Sequence, residues 1–198
     1  MGWTICCTHT YSEGVGLKFQ KTPLSGPLIV IPDRISDERG FFARSFCQAE
    51  FEEYSPSITW SQCNISFNSM CGTVRGLHYA VAPSHETKLV RCTSAAIFDV
   101  IVDIRNNSAT YGSWFSVELN ASNRHALFIP TGFAHGFQTL EDNTEVFYQM
   151  GDSFNPDTSR GIRFDDPAIG VKWPLPVTSI SKKDLDNPLL KLAQGVAS

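Results

Sequence analysis

The sequence lacks any apolar run close to the roughly 20 residues that a membrane-spanning helix needs. Its opening segment, residues 1–7, lacks the basic region and the long apolar stretch of a secretion signal. That segment also departs from the myristoylation pattern, because position 6 is Cys where the pattern requires Ser or Thr. We therefore expect a protein without membrane insertion or a lipid anchor.

Paired cysteine motifs are also missing. The six cysteines stand at positions 6, 7, 47, 63, 71 and 92, and none forms a C-x-x-C pair. Scattered cysteines of this kind are typical of free thiols in a reducing compartment rather than of a zinc site or a disulfide framework. The sequence therefore predicts a cytoplasmic protein.

Charge is sparse. Charged residues make up 18% of the chain, and the formal net charge is −4 at pH 7. Such a balance provides no electrostatic attraction for nucleic acid. An anionic ligand would need locally clustered arginines instead.

Aromatic residues, in contrast, are plentiful. The chain holds 14 Phe and four Trp among 198 residues, and flat aromatic rings suit a pleated, half-buried surface. A chain of this length fits one domain, and we find no internal repeat or linker. We predict a single all-β domain over residues 1–198.

Short apolar runs separated by turn signals support that fold class, since they are the pattern of a β-sandwich or barrel. In the clearest run, Phe98, Val100, Val102 and Ile104 share one face, while Asp99, Ile101, Asp103 and Arg105 share the other. The predicted strands are Leu28–Pro32, Phe98–Arg105, Trp114–Leu119, Ala126–Ile129 and Thr144–Met150. Residues 1–25 are expected to hold an arm or edge strand, and short helices are expected in Gln48–Tyr54 and Lys182–Ala193.

Residues with chemically reactive side chains are most concentrated in the segment Cys71–Tyr79, which carries Arg75, His78 and Tyr79 around Gly76. Strict alternation would point Arg75 and His78 to opposite faces of a strand. A bulge at Gly76 would bring both side chains into one cavity, where buried polar groups must be paired or used.

Other polar residues have both an ordinary and a functional interpretation. Lys88 and Arg91 could be solvated strand residues, Tyr148 an aromatic core residue, and His135 a hydrogen-bonded structural histidine. A G-x-S-x-G elbow and an H-E-x-x-H pair are both missing. Residue spacing alone leaves these alternatives open.

Several motifs together resemble one family. They are Asp37-Glu38-Arg39-Gly40-Phe41-Phe42, Arg75-Gly76-Leu77-His78-Tyr79, Lys88-Leu89-Val90-Arg91, Phe98-Asp99-Val100, Ile129-Pro130-Thr131-Gly132-Phe133-Ala134-His135-Gly136-Phe137, Gly161-Ile162-Arg163-Phe164-Asp165-Asp166-Pro167 and Ser181-Lys182-Lys183-Asp184. In this order, from about Pro27 to about Leu190, they resemble the dTDP-4-dehydrorhamnose 3,5-epimerase family. The resemblance implies a cupin-type jelly roll, a homodimer, no metal, no cofactor and a nucleotide-diphosphate sugar substrate. It also implies that the C-terminal segment, residues 180–198, packs on the site.

The resemblance also implies roles for individual residues. His78 matches the family's base, Asp184 the carboxylate that orients it, and Tyr148 the acid on the opposite face of the sugar. Lys88 matches the cation beside the developing enolate oxygen, and His135 a conformational support. The positions that match nucleotide or phosphate contacts are Arg39, Gln62, Asn64 and Arg75.

Two positions depart from the family pattern. Arg44 stands where the dTDP enzymes carry Glu, and Ser153 stands where they carry a Tyr that stacks on thymine. Because thymine N3 donates a hydrogen bond whereas cytosine N3 accepts one, a guanidinium suits cytosine. We hypothesise that the substrate is a CDP-linked or other nucleotide sugar, with Phe42 as a stacking surface.

Two other function classes remain open. A metal-dependent cupin enzyme would need an H-x-H pair, but Tyr79-Ala80 follows His78, and His78 with His135 makes a poor metal site. A non-catalytic sugar-nucleotide binding protein could share the fold. For an epimerase, the sequence leaves open whether C3, C5 or both carbons are inverted.

Overall fold

The structure, a computed structural model, describes residues 15–55 and 58–190. Its strands are β1 Leu17–Lys21, β2 Leu28–Pro32, β3 Arg34–Asp37, β4 Gly40–Ala43, β5 Gln62–Asn68, β6 Val74–Ala80, β7 Lys88–Ser94, β8 Ala96–Asp103, β9 Trp114–Asn120, β10 Ala126–Ile129, β11 Phe133–Thr139, β12 Thr144–Met150 and β13 Ser159–Gly161. Its helices are α1 Gln48–Glu52 and α2 Lys182–Leu185. The chain is therefore all-β with two short helices, as predicted.

The strands form two large antiparallel sheets. The six-stranded sheet has the order β1-β2-β10-β7-β12-β5, and the five-stranded sheet has the order β13-β6-β11-β8-β9. Neighbours in each sheet come mostly from distant parts of the chain, as in a jelly roll rather than a meander. Strands β3 and β4 form a separate two-stranded hairpin.

Strand β8 shows how the apolar pattern builds the interior. Its residues Ile97 and Ile101 join the core between the sheets, which also contains Val90, Leu127 and Val146. The opposite face of β8, which carries Phe98, Val100 and Val102, packs in a second apolar cluster. This cluster also includes residues from the C-terminal part of the described chain. Because both faces are covered, Asp99 and Asp103 are fully buried and must find partners.

The segment predictions are mostly confirmed. All five predicted strands form, and β1 lies at the edge of its sheet, as expected for the N-terminal region. Helix α1 forms where expected, but α2 is only four residues long, and residues 186–190 are not helical. The remaining residues of the predicted arm, 1–14, and of the C-terminal segment, 191–198, lie outside the described residues.

Two further observations concern residues 15–55 and 58–190. Cys47, Cys63, Cys71 and Cys92 are free thiols. No helix in these ranges is both long and apolar enough to span a bilayer.

Candidate active site

A cavity of about 570 Å³ lies between the two large sheets. The five-stranded sheet contributes Arg75, His78 and Tyr79 from β6 and His135 from β11. The six-stranded sheet contributes Gln62 and Asn64 from β5, Lys88 from β7, and Tyr148 from β12. The structure therefore brings together eight of the residues that the sequence singled out, and the polar ones face one another across the cavity.

A bulge in β6 makes this arrangement possible. Arg75 pairs with Phe137 and His78 pairs with His135, so β6 advances three residues while β11 advances two. Gly76 at the bulge has a φ of 122°, and a Cβ there would lie 2.6 Å from the Gly136 Cα. Only glycine fits this backbone approach. The predicted bulge is thus confirmed: Arg75 and His78 both line the cavity, while Leu77 packs in the core behind.

His78 is held by a carboxylate from the C-terminal segment. Its Nε2 donates to Asp184 Oδ1 over 2.6 Å, and the Gly76 N–H donates to Asp184 Oδ2 over 3.4 Å. Asp184 lies in α2, where its own N–H donates to the Ser181 side chain at the N-cap. Asp184 of this segment therefore contacts both His78 and the backbone of β6.

The charge state of this pair follows from its surroundings. Burial raises the pKa of the Asp184 carboxyl, but the hydrogen bond and charge of His78 outweigh burial, and the pKa lies below its ordinary value. Asp184 is therefore an anion at neutral pH and accepts the Nε2 proton. A neutral His78 then carries its free lone pair on Nδ1, which is the state a general base requires.

A second histidine–carboxylate pair lies beside the first. His135 Nε2 donates to Asp99 Oδ1 over 2.7 Å, and Asp99 is fully buried in β8. Asp99 Oδ2 has no hydrogen-bond partner among residues 15–55 and 58–190. Sequence analysis did not assign Asp99 to the site, although an aspartate amid apolar strand residues signals a buried partner.

Tyr148 faces the histidines from the other sheet. Burial raises the pKa of its hydroxyl, the negative charge of Glu86 raises it further, and Arg75 lowers it. The net shift is upward, so the phenol stays protonated at neutral pH and remains a proton donor.

Lys88 has a partner that sequence analysis missed. Its Nζ lies 2.8 Å from Glu86 Oε1, and both side chains are largely buried in the cavity wall. Glu86 precedes Lys88 by two residues, so strand alternation would have put the two on the same side.

The polar end of the cavity is formed by β5 and its neighbours. The Gln62 amide donates to Asn64 Oδ1 over 3.3 Å, and Gln62 Oε1 accepts from the Phe154 N–H over 3.0 Å. The Arg75 Nε donates to Asn68 Oδ1 over 2.6 Å, which steers its guanidinium along the wall. Lys183, which was not predicted, adds a second cation from α2.

Position 153 does not line the cavity, but its neighbour does. Phe154 is a lining residue with a 59% exposed side chain, whereas Ser153 is not among the lining residues. An aromatic face therefore lies one residue beyond position 153, where the family resemblance placed a stacking aromatic residue.

The remaining predicted residues lie on or beside the β3–β4 hairpin and do not line this cavity. Arg39 pairs with Asp37 at the hairpin turn. Phe42 is 67% exposed, and the Arg44 guanidinium lies 2.6 Å from Glu50 of α1. Arg39, Phe42 and Arg44 thus lie on or beside one hairpin, and none of them lines the cavity that holds His78.

A metal site would need several His, Cys, Asp or Glu side chains that converge on one point. Within the described ranges, no group of three or more His, Cys, Asp or Glu side chains could hold a metal ion. Each cavity histidine is already engaged with its own carboxylate. The donor set fits proton transfer better than metal binding.

Comparison with known proteins agrees with this geometry. The family model described as dTDP-4-dehydrorhamnose 3,5-epimerase matches residues 21–192. The chain is similar to the dTDP-4-dehydrorhamnose 3,5-epimerase of Sinorhizobium fredii, with 40% identity covering 87% of this chain and 89% of the relative.

Solved structures show the same fold. The Bacillus anthracis dTDP-4-dehydrorhamnose 3,5-epimerase with TDP and PPi bound has a TM-score of 0.85 at 35% identity, covering 88% of this chain and 100% of that one. A Legionella pneumophila dTDP-6-deoxy-D-glucose-3,5-epimerase in complex with dTDP-4-keto-L-rhamnose has a TM-score of 0.83 at 35% identity, covering 88% and 93%. The expected cupin-type jelly roll is confirmed.

Proposed function

The chain belongs to the dTDP-4-dehydrorhamnose 3,5-epimerase family, and we propose that it inverts C3, C5 or both carbons of a nucleotide-diphosphate 4-keto-6-deoxyhexose. The chain is an isomerase, and its substrate is a nucleotide sugar. The C4 ketone acidifies the neighbouring C–H bonds, so that a positioned base can remove one proton and leave an enolate. The reaction needs no redox partner, because the proton that leaves is replaced by another.

One observation carries this proposal. His78 projects into the cavity from the five-stranded sheet, and Tyr148 projects into it from the six-stranded sheet. Inversion requires that a proton leave one face of the carbon and that another return to the opposite face. A base and an acid on facing sheets meet that requirement, whereas a binding protein would need neither.

In this scheme His78 removes the proton. Asp184 holds the ring through Nε2 and stabilises the imidazolium that forms, so Nδ1 is the basic nitrogen. Tyr148 then gives its phenolic proton to the other face of the carbon. His135 and its partner Asp99 keep the cavity wall in shape beside His78.

Lys88 faces the negative charge that develops on the C4 oxygen. A fixed cation in a site from which water is excluded helps most when charge appears only during the reaction. Arg75 lies on the facing sheet and can assist there or hold phosphate.

Gln62, Asn64 and Arg75 supply hydrogen-bonding groups for the nucleotide diphosphate at the other end of the cavity. Phe154 supplies an aromatic face there, as a stacking surface for the base.

We also propose that Arg39, Phe42 and Arg44 serve the cavity of a second subunit in a homodimer. They match family positions that hold the substrate, yet they lie outside the cavity of their own chain. The exposed Phe42 and a hairpin separate from both large sheets suit a contact with a neighbouring subunit.

A mixing experiment tests the shared site. Arg39→Ala and His78→Asn chains are expected to be poorly active alone. After they are mixed under subunit exchange, activity should return, because one hybrid cavity has both His78 and an intact partner hairpin. If the mixture stays as inactive as its components while light scattering reports a dimer, the hairpin serves its own chain.

Because of Arg44, we propose that the substrate is a CDP-linked or other nucleotide sugar rather than a dTDP sugar. Calorimetric titration with dTDP and with CDP compares the two directly, and Arg44→Glu is the matched variant. We expect CDP to bind more tightly to the wild type and the preference to reverse in the variant. Clearly tighter dTDP binding to the wild type would overturn the base-pocket proposal but leave the epimerase proposal intact.

We further propose that residues 1–198 form one domain that works in the cytoplasm. The free thiols at Cys47, Cys63, Cys71 and Cys92 support a reducing compartment. The match of one family model to residues 21–192 supports one domain.

Mass spectrometry in D₂O tests the reaction. The protein is incubated with dTDP- and CDP-4-keto-6-deoxyglucose, with His78→Asn as the control. Uptake of two deuterons means exchange at both C3 and C5, and uptake of one means that a single carbon is activated. Absence of uptake with both substrates, while both nucleotides bind, would favour a binding protein over an epimerase.

A further inference from the structure

Glu86 is a carboxylate that lines the cavity beside the groups assigned to proton transfer, and no role above uses it. Its Oε1 lies 2.8 Å from Lys88 Nζ, and the two side chains are only 16% and 11% exposed. An anion in a cavity that accepts an anionic substrate weakens binding of that substrate. Its presence there needs a reason other than substrate affinity.

The segment before β7 holds Glu86 firmly. The Ser84 hydroxyl donates to Asp152 Oδ2 over 2.7 Å, and the Gly151 N–H donates to the Thr87 carbonyl over 3.0 Å. Both contacts tie the segment to the end of β12, so Glu86 lies on a wall fixed from both sides. A carboxylate so anchored can fix the position of whatever it binds.

We propose that Glu86 is a positioning residue for the epimerase reaction, which anchors the Lys88 ammonium so that its remaining N–H donors face the C4 oxygen. This inference rests on the proposed function. A lysine side chain has four rotatable bonds and a point charge, and a buried ammonium without a partner is costly. The ion pair removes both problems before substrate arrives, which is the preorganisation that an enolate requires.

Glu86 also acts on Tyr148, which lies on β12, the neighbour of β7 in the same sheet. Its negative charge raises the pKa of the Tyr148 hydroxyl in addition to the effect of burial, while Arg75 lowers it. Removing the carboxylate should therefore make tyrosinate form at lower pH. The other charged or titratable groups that line the cavity around Tyr148 are Arg75, His78 and Tyr79 on β6, Lys88 on β7, His135 on β11 and Lys183 on α2.

Glu86→Gln keeps the size of the side chain and removes its charge, and Glu52→Gln on the exposed end of α1 is the matched control. We expect kcat to fall about tenfold in Glu86→Gln, because the ammonium loses its fixed position. KM should stay the same or fall, since a negative charge leaves the cavity. A purely structural role would raise KM instead. Glu86→Asp, which keeps the charge, should recover part of the lost kcat.

Two further measurements make the test specific. In a Lys88→Met background, Glu86→Gln should change kcat by less than about twofold, because its effect runs through Lys88. In substrate-free protein, the tyrosinate absorbance of Tyr148, taken as wild type minus Tyr148→Phe, should titrate at lower pH in Glu86→Gln. The second measurement needs no turnover and stays informative if the double variant is unstable.

The outcomes separate the two proposals. A wild type that incorporates no deuterium overturns the epimerase proposal. A wild type that does incorporate it, with Glu86→Gln matching Glu52→Gln in kcat, overturns the role of Glu86. An equal loss of kcat in both Lys88 backgrounds would also overturn it.

Discussion

The two histidine–carboxylate pairs in this cavity have the same hydrogen bond and different surroundings. His78 and His135 are directly paired across β6 and β11, and each donates from Nε2 to an aspartate. His78 is 41% exposed to the cavity, and its Asp184 comes from a short C-terminal helix. His135 is 11% exposed, and its Asp99 is fully buried in the middle of a strand.

Under the proposed mechanism, this difference separates a reactive pair from a structural one. A base must reach substrate, and its ring must gain and lose a proton, so it needs exposure and a carboxylate that is already ionised. A buried pair can satisfy two polar groups and stiffen a wall, but it presents little surface to a ligand. Four predictions test this contrast.

The largest effect on turnover is expected for His78→Asn. Deuterium incorporation should fall about a thousandfold, because the substitution removes the general base. Nucleotide affinity, measured by calorimetry, should be preserved. His85→Asn, at an exposed histidine outside the cavity lining, is the matched control. A residual rate within about tenfold of the wild type would assign the base elsewhere.

Asp184→Asn should have the next largest effect, a loss of about a hundredfold in kcat. An amide can hold the ring through its oxygen, but it cannot balance the charge of an imidazolium. The rate of deuterium uptake measures the loss, and preserved nucleotide affinity would show that the cavity still forms. A variant as active as the wild type would make Asp184 a structural residue only.

His135→Asn should affect stability more than turnover. Turnover should fall only about tenfold through a shift of the wall. Removing the partner of the fully buried Asp99 should lower the free energy of unfolding by about 3 kcal/mol. Denaturant titration measures the stability, and His135→Gln, whose longer side chain can place an amide N–H near the position of Nε2, should recover part of it. If turnover falls as far as in His78→Asn, the two pairs share the chemistry.

The smallest expected effect concerns acid stability and Asp184. Its pKa is lowered from the ordinary 3.8, so its stabilising contribution is complete above that value and is lost as pH falls through the lower folded pKa. The difference in unfolding free energy between wild type and Asp184→Asn should therefore be largest at neutral pH and shrink in acid. Denaturant titrations at pH 7 and near pH 3 compare the two. A difference that grows in acid would contradict the ionised state of Asp184.

Much of the framework could be predicted because it depends on local pattern. The alternation around Phe98 and in Thr144–Met150 predicted β8 and β12 with little error at their ends. The short helix α2 was overestimated, because polar residues at helical spacing do not reveal that the chain turns away after Leu185.

The sequence indicated some residues of the candidate site and missed others. His78, Asp184, Lys88 and Tyr148 were identified through motif resemblance, and strand alternation alone would have separated Arg75 from His78. Asp99 and Glu86 were missed, because the sequence does not show which side chain a carboxylate will meet in the fold. The hairpin residues Arg39, Phe42 and Arg44 could be identified as candidates but not located relative to the cavity.

By itself, the sequence determined the fold class, the strands and the identity of the chemical groups, because apolar alternation and side-chain chemistry are local properties. Tertiary structure alone decided which groups meet. The bulge at Gly76 turns Arg75 and His78 to one side, and α2 brings Asp184 from more than a hundred positions away. Burial then decided that the partner of Asp99 is enclosed while the partner of Asp184 opens to the cavity, because solvent access depends on every element that packs around a group.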